Sequence, residues 1–292
     1  MTGSGTGGPR GPGWPSAAST VVGVIGDPVA HSLSPLLHNT AFEHLGLDWV
    51  SLGFRVPAGA APAALAGVRG LGLAGLSVTM PHKAVVAELV DERTPIAQRL
   101  GAVNCVVNRD GHLVGTNTDG QGFVESLVRG TGLDPAGKRA VVVGAGGAAR
   151  AVVVALSDAG ISEIVVVARR PEAAAAAASL AVRGRVGSAR DAPEADLVVN
   201  ATPIGMAGNG SGIQIPVVPA EALGRGQVVV DLIYEPAETE WMAGAAQRGA
   251  VVLGGLGKLV HQAAAQLALW TGLDPPVVSM WEAASSARSE RA

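Results

Sequence analysis

The chain has a single cysteine, Cys105, among its 292 residues, which excludes an intramolecular disulfide. That cysteine is expected as a small buried apolar residue. Six histidines are scattered without HExxH or CxxC spacing, so no metal site is expected. Aromatic residues make up only 3% of the chain, leaving Val, Leu, Ile and Ala to fill the core. No apolar run reaches the roughly 18 residues that a membrane helix needs, and no membrane partner is expected. Charged residues amount to 15% and the net charge is −3, which argues against the basic face of a nucleic-acid or membrane-surface binder. Residues 1–19 are rich in Gly, Pro and Ser, lack the apolar stretch of a signal peptide and read as a disordered tail. A reducing, cytoplasmic setting fits these absences.

What is present is enough apolar sequence, 48%, for two domains of ordinary size. Thr20–Ile25 reads as a strand running into the turn Gly26-Asp27-Pro28. Ser34-Pro35 reads as a helix start with Ser at the N-cap. Strands are expected at Trp49–Val56 and Ala74–Thr79, and helices at Ala60–Leu71 and Pro81–Val90. Val103–Asn108 and His112–Thr116 flank Asp110-Gly111, a strong hairpin signal. A helix over Gly120–Gly130 then leads to a second strand–helix series. Its strands are Arg139–Val143, Glu163–Ala168, Asp196–Asn200, Gln227–Leu232 and Ala250–Leu253. Their near-continuous apolar character suits a parallel sheet covered on both faces. A helix follows over Gly255–Trp270, and the residues beyond Ser285 are expected to fray. The expectation is an α/β chain with an N-terminal substrate domain built on a mostly parallel sheet (20–118 with 255–292) and a Rossmann-type domain (119–254).

The glycine-rich stretch Gly144–Arg150 sits directly between a strand and a helix. Gly144, Gly146 and Ala149 fit G-x-G-x-x-G/A, whose glycines allow a tight turn and close approach of a pyrophosphate to the helix N-terminus. An NAD site usually places Asp or Glu at the end of the second strand. Here that strand ends in Arg169-Arg170, and paired guanidiniums suit a phosphate dianion. The cofactor is therefore read as NADP(H).

Two further segments carry the chemistry. Gly75–Lys83 places Lys83 just beyond a strand end, and Gly115–Gly120 places Asp119 in a similar setting. A cation near a helix N-terminus is locally disfavoured and wants an anion, which Asp119 could supply. Lysine and aspartate, each beside threonine and small residues, read as a proton-handling pair facing a small polar substrate. Ser32 and Ser34, at the mouth of a helix, suit a carboxylate, although a turn residue and an N-cap would look the same. Asn104 suits a hydroxyl or a strand edge. Gln262 follows His261 on the last helix, so the two diverge by about 100° and only one can face a given site. His82 reads as a packing or surface residue rather than a base.

In order and spacing, the pieces HSLSPLLHN, SVTMPHK, GAVNCV, NTDG, GAGGAAR, NATPIGM, DLIYEP and GLGKLVHQAA resemble the shikimate dehydrogenase family, from about Val21 to Trp281. The resemblance implies two domains with an open cleft, and reversible NADPH-dependent reduction of 3-dehydroshikimate to shikimate in aromatic amino-acid biosynthesis. It implies a small-molecule substrate, no nucleic-acid partner, and a monomer or homodimer. Ser32, Ser34 and Tyr234 would hold the substrate carboxylate. Thr79, Asn104, Asp119 and Gln262 would bind the ring hydroxyls and carbonyl, with Lys83 and Asp119 as the catalytic pair. Gly144, Ala145, Gly146, Gly147, Ala148 and Ala149 would surround the pyrophosphate, and Arg169 with Arg170 the 2′-phosphate. Thr202, Ile233 and Gly255 would lie on the nicotinamide side.

Three positions depart from the family pattern. Ser77 stands where Asn is common, Ala168 replaces an Asn beside the phosphate-binding Arg, and Lys258 stands where Met or Leu is usual. The competing expectations are a quinate/shikimate or aminoshikimate dehydrogenase, a methylene-tetrahydrofolate dehydrogenase-like enzyme and, in another class, a nonenzymatic NADPH-sensing protein.

Overall fold

The computed structural model describes residues 14–206 and 216–290. Residues 1–13 of the expected tail lie outside the described residues. The end of that tail is anchored, Ser19 Oγ donating to Asp48 Oδ1 at 2.6 Å. The chain divides into two compact units, Met1–Thr118 with Gln262–Arg291, and Asp119–His261. The boundary between the units falls inside the helix Leu256–Thr271.

The first unit runs β1 (Thr20–Gly26), α1 (Ser34–His44), β2 (Trp49–Arg55), α2 (Ala61–Leu71), β3 (Gly75–Val78), α3 (Lys83–Leu89), β4 (Glu92–Arg93), α4 (Pro95–Leu100), β5 (Cys105–Arg109) and β6 (His112–Thr116). Its sheet has the order β2-β1-β3-β5-β6-β4. Pairs β1/β2, β1/β3 and β4/β6 are parallel, whereas β3/β5 and β5/β6 are antiparallel. The hairpin between β5 and β6 turns at Asp110 (φ 52°) and Gly111 (φ 90°), the left-handed pair that Asp-Gly supplies. Consecutive parallel strands leave β1 in opposite directions, to β2 and to β3. The loops following β1 and β3 therefore open side by side, at a topological switch point. Thr79 N donates to Ile25 O at 2.9 Å and Asp27 N to Met80 O at 3.0 Å, binding the two loops together.

The second unit runs α5 (Asp119–Thr131), β7 (Arg139–Val143), α6 (Gly147–Asp158), β8 (Glu163–Val167), α7 (Pro171–Ala178), β9 (Gly184–Val186), β10 (Leu197–Asn200), β11 (Val228–Asp231), α8 (Glu240–Gln247) and β12 (Val251–Leu253), and ends in the first part of α9 (Leu256–Thr271). All its strand pairs are parallel, in the order β12-β11-β10-β7-β8-β9. This is the doubly wound dinucleotide-binding order, with its switch point between β7 and β10. Small aliphatic side chains fill both faces, as the scarcity of aromatics requires. Val142, Val152, Ile164 and Val199 lie in one cluster, and Val141, Val165, Val198 and Trp241 in the other.

Several elements were not expected. The edge strand β9 carries little apolar signal; an ion network holds it instead. Arg185 Nε bonds Glu163 Oε1 and Arg185 Nη2 bonds Asp191 Oδ1, each at 2.6 Å, while Arg139 pairs with Glu163 and with Glu194. Asp191 belongs to a capping box with Ser188 that starts a 3-10 turn over Ala189–Glu194. The short elements β4, α4 and α8 were also missed. The C-terminus does not fray at Ser285: α10 (Val277–Ser289) continues, burying Met280 and Ala284, while Ser279 Oγ and His44 Nδ1 share a hydrogen bond of 3.1 Å.

Candidate active site

In the first unit, the candidate residues gather at one end of the sheet. Ser32 and Ser34 follow β1, Thr79 and Lys83 follow β3, and Asn104 immediately precedes the antiparallel β5. The expected N-cap is corrected: Leu33 occupies that position and makes no side-chain cap, and Ser34 is the first helical residue. Pro35 therefore sits one position deeper than expected. The Ser34 hydroxyl, on a buried residue, makes no capping bond, and Ser34 N donates to Ser32 Oγ at 3.2 Å. Helix α3 likewise begins at Lys83, leaving Pro81 and His82 in the preceding turn. Lys83 is half-buried, and its carbonyl accepts from Val103 N at 2.8 Å, which ties the start of α3 to the residues before β5. His82 is buried with Nε2 2.6 Å from Val56 O; the carbonyl can only accept, so this nitrogen carries the proton. Of the packing and surface roles expected for His82, the structure shows the packing one.

Asn104 and Gln262, 158 residues apart, are brought together. Asn104 Nδ2 donates to Gln262 Oε1 at 3.3 Å and to Thr118 Oγ1 at 3.1 Å. The Thr118 hydroxyl donates in turn to Gln262 O at 3.0 Å, and Thr118 N donates to Asn104 Oδ1 at 2.8 Å. Gln266, one turn further along α9, donates from Nε2 to Asn104 O at 2.9 Å and to Gln262 Oε1 at 3.1 Å. Thr118 and Gln266 were missed by the sequence reading. The i, i+4 spacing of two glutamines on an otherwise apolar helix face was the available signal. His261 diverges from Gln262 as expected: it belongs to the second unit, where burial lowers its pKa and the charge of Glu125 partly opposes that shift. Ser77, the departure inside the SVTMPHK motif, is buried in the middle of β3 and pairs with Val24 and Cys105. Burial pushes the Cys105 thiol far above its usual range and makes it inert, in keeping with the apolar role expected.

Behind the cluster, His38 is fully buried, with Nδ1 3.0 Å from Ser51 Oγ and its ring edge-on to Trp270 at 5.0 Å. Burial lowers its pKa to about 3. The unfolded chain binds this proton below about pH 6.5, whereas the folded chain does so only near pH 3. Stability is therefore full above about pH 6.5 and falls as the pH drops through that window. At pH 5 the expected loss relative to about pH 7.5 is about 2 kcal/mol. His38→Asn should abolish this share, as read from urea midpoints at the two pH values; an equal loss in both proteins would contradict it.

In the second unit the glycine turn lies at the switch point. Gly144 follows β7 with φ +117°, and a Cβ there would stand 3.0 Å from Ala201 O, at the end of β10. Gly146 is the N-cap of α6 without a side-chain cap, and a Cβ on Gly146 or Gly147 would meet nothing within 4 Å. Residues 146–148 are exposed while Ala149 is buried against the sheet. Open space over unpaired N–H groups at a helix start fits a pyrophosphate. Arg169 and Arg170 are exposed at the end of β8, and among the described residues no ion pair holds either guanidinium. Both fit a 2′-phosphate.

The nicotinamide-side candidates share a hub that sequence reasoning missed. Asp231, at the end of β11, accepts from Asn200 Nδ2 (3.0 Å), Ile233 N (3.1 Å) and Thr239 Oγ1 (2.9 Å). Burial pushes its carboxyl above the usual carboxylate range, and these three donors oppose the shift. Asn200 Oδ1 accepts from Thr202 Oγ1 at 2.6 Å and Thr202 N at 3.1 Å. Ile233 O accepts from Gly255 N at 2.9 Å. Thr202, Ile233 and Gly255 are thus set by one buried carboxylate. Half-buried Tyr234 follows Ile233 in the same loop. A Cβ on Gly255 would collide with Leu232 O, a backbone atom that cannot swing aside. Gly255→Ala should cost at least about 2 kcal/mol by forcing the loop or the start of α9 to move. A urea midpoint within error of wild type would refute that packing.

Asp119 is the first residue of α5, where the helix dipole favours a carboxylate. It forms an ion pair with Lys258, in the first turn of α9 and in the same unit. Lys258 stood out in sequence only as a departure from pattern; the structure makes it a partner of the candidate catalytic aspartate.

A doubly wound domain with a glycine turn at its switch point, joined to an α/β unit with a buried polar cluster at one sheet end, defines a two-domain α/β protein of the dinucleotide-dependent class. Residues 24–106 match the shikimate dehydrogenase substrate binding domain, and residues 255–284 the shikimate 5′-dehydrogenase C-terminal domain. The shikimate dehydrogenase (NADP(+)) of Moorella thermoacetica is 46% identical over 90% of this chain and 92% of its own. A crystal structure of a shikimate dehydrogenase in complex with NADP+ superposes with a TM-score of 0.87 at 36% identity, covering 93% of this chain and 96% of its own. The Thermus thermophilus enzyme in complex with NADP(H) and shikimate gives 0.84 at 40% identity, covering 92% and 99%. The chain belongs to the shikimate dehydrogenase family.

Proposed function

We propose that this chain reduces 3-dehydroshikimate to shikimate, reversibly, with NADPH. The observation that carries the reading is the pairing of two features: a glycine turn backed by Arg169-Arg170, and a polar cluster built from Asn104, Thr118 and Gln262. NADPH, when bound, supplies the hydride. The glycine turn and α6 N-terminus hold the pyrophosphate, Arg169 and Arg170 select the 2′-phosphate, and Thr202, Ile233 and Gly255 shape the nicotinamide side.

Ser32 and Ser34 bind the substrate carboxylate, with Tyr234 as a further hydroxyl for it. Thr79, Asn104 and Gln262 hold the ring hydroxyls and carbonyl. Hydride transfer to the ketone builds negative charge on its oxygen. The Lys83 ammonium stabilises that charge and donates the proton, and Asp119 accepts from the neighbouring hydroxyl. The pre-bonded amide of Asn104, both Nδ2 hydrogens already donated, keeps acceptor capacity on Oδ1 in a fixed direction, so little orientation is lost when a substrate hydroxyl binds.

The test is anaerobic incubation of 3-dehydroshikimate with NADPH and the purified chain, following cofactor absorbance and identifying the product by NMR. One shikimate per NADPH consumed is expected. NADPH retained in the presence of substrate would favour a nonenzymatic sensor and refute the reading. The setting we propose is cytoplasmic, with the enzyme acting as a monomer or homodimer.

A further inference from the structure

We propose that Lys258 is a positioning residue that sets the carboxylate of Asp119 for substrate. The inference rests on the reading of Asp119 as a substrate-binding group. Lys258 Nζ donates to Asp119 Oδ1 across 139 residues, and the two side chains are only 20% and 5% exposed. The placement is costly for the lysine on two counts. It is largely desolvated, and it lies in the first turn of a 16-residue helix, where the dipole disfavours a cation. A surface lysine would avoid both costs by extending into water. This one is held by the carboxylate, so the pair is a built feature and not a chance surface contact.

The consequence for binding follows from this pairing. One oxygen of Asp119 is bonded to the ammonium, which fixes the carboxylate plane. Take the ammonium away and Oδ1 loses the bond that holds the carboxylate plane. The carboxylate can then turn about its Cβ–Cγ bond, and a misdirected plane is a weaker acceptor for a substrate hydroxyl. Lys258 thus acts on the substrate through Asp119.

The test is a double-mutant cycle on the full-length protein, measuring the shikimate Kd by calorimetry without turnover. Lys258→Met should weaken shikimate binding about tenfold, and Lys258→Arg should restore it to within about threefold. In an Asp119→Asn background the same Lys258→Met change should alter Kd by less than about twofold. Equal weakening in both backgrounds, or none in either, would overturn the proposal. The Asp119→Asn arm separates the two readings: unchanged binding and turnover there would refute the site assignment itself, whereas an impaired Asp119→Asn with a neutral Lys258→Met would refute only the role of Lys258. If circular dichroism shows that Asp119→Asn does not fold, the Met and Arg variants decide. Loss with Met and recovery with Arg supports the proposal, and wild-type affinity in Met overturns it.

Discussion

Lys83→Ala should lower kcat for shikimate oxidation by about three to four powers of ten and leave KM within a few-fold. The size follows from two effects removed together: general acid–base transfer, worth about 10²–10⁴, and stabilisation of the developing alkoxide by a fixed positive group. The split follows from where binding energy is made. In the proposed site the carboxylate and ring hydroxyls are held by Ser32, Ser34, Thr79, Asn104 and Gln262, none of which changes. The charge on oxygen exists only in the transition state, so its loss appears in kcat. The neighbouring imidazole cannot substitute. His82 is buried and engaged with Val56 O, so His82→Gln should not reproduce the effect on kcat. Steady-state kinetics of the two variants, with folding checked by circular dichroism, test the claim. A Lys83→Ala enzyme with near-normal kcat would remove Lys83 from the chemistry.

Replacing Arg169 and Arg170 together by Ala should raise KM for NADPH about 30- to 100-fold and leave that for NADH within about threefold. This is the scale of one or two charge-assisted hydrogen bonds to a phosphate. Both guanidiniums stand exposed just beyond the end of β8, outside the strand's hydrogen-bonded core, so removing them leaves the sheet intact. Exposure also predicts salt dependence: the preference for NADPH should shrink as ionic strength rises and the Debye length falls below the reach of the pair. Equal loss with both cofactors would mean that these side chains support the loop rather than read the phosphate.

The second unit was nearly transparent in sequence because each signal there is local. Strands such as Leu197–Asn200 are short apolar runs, and Gly144, Gly146 and Ala149 mark the turn by the space their side chains vacate. Some of what escaped is held by long-range polar contacts. Strand β9 depends on Arg185 reaching Glu163 and Asp191, and Asp231 becomes a hub only when Asn200, Ile233 and Thr239 converge on it. The N-terminus of α1 shows the limit of a local rule. Ser34-Pro35 is a good capping signal, yet the helix starts one residue early and leaves the hydroxyl for another role. At the site, Asn104 and Gln262 were each readable as candidates, but their shared bond, and the bridging by Thr118 and Gln266, exist only in the folded chain. The same holds for Lys258, whose partner lies 139 residues away.

The most direct measurement of the central claim is a comparison of kcat/KM for four pairings, shikimate or quinate with NADP+ or NAD+. The expected result is that shikimate with NADP+ exceeds each of the other three by at least about tenfold, because in the proposed site Arg169 and Arg170 reward the 2′-phosphate and the polar cluster holds the shikimate hydroxyls. A protein that turns over quinate with NAD+ as well as it does shikimate with NADP+, or that turns over none of the four, would contradict the account.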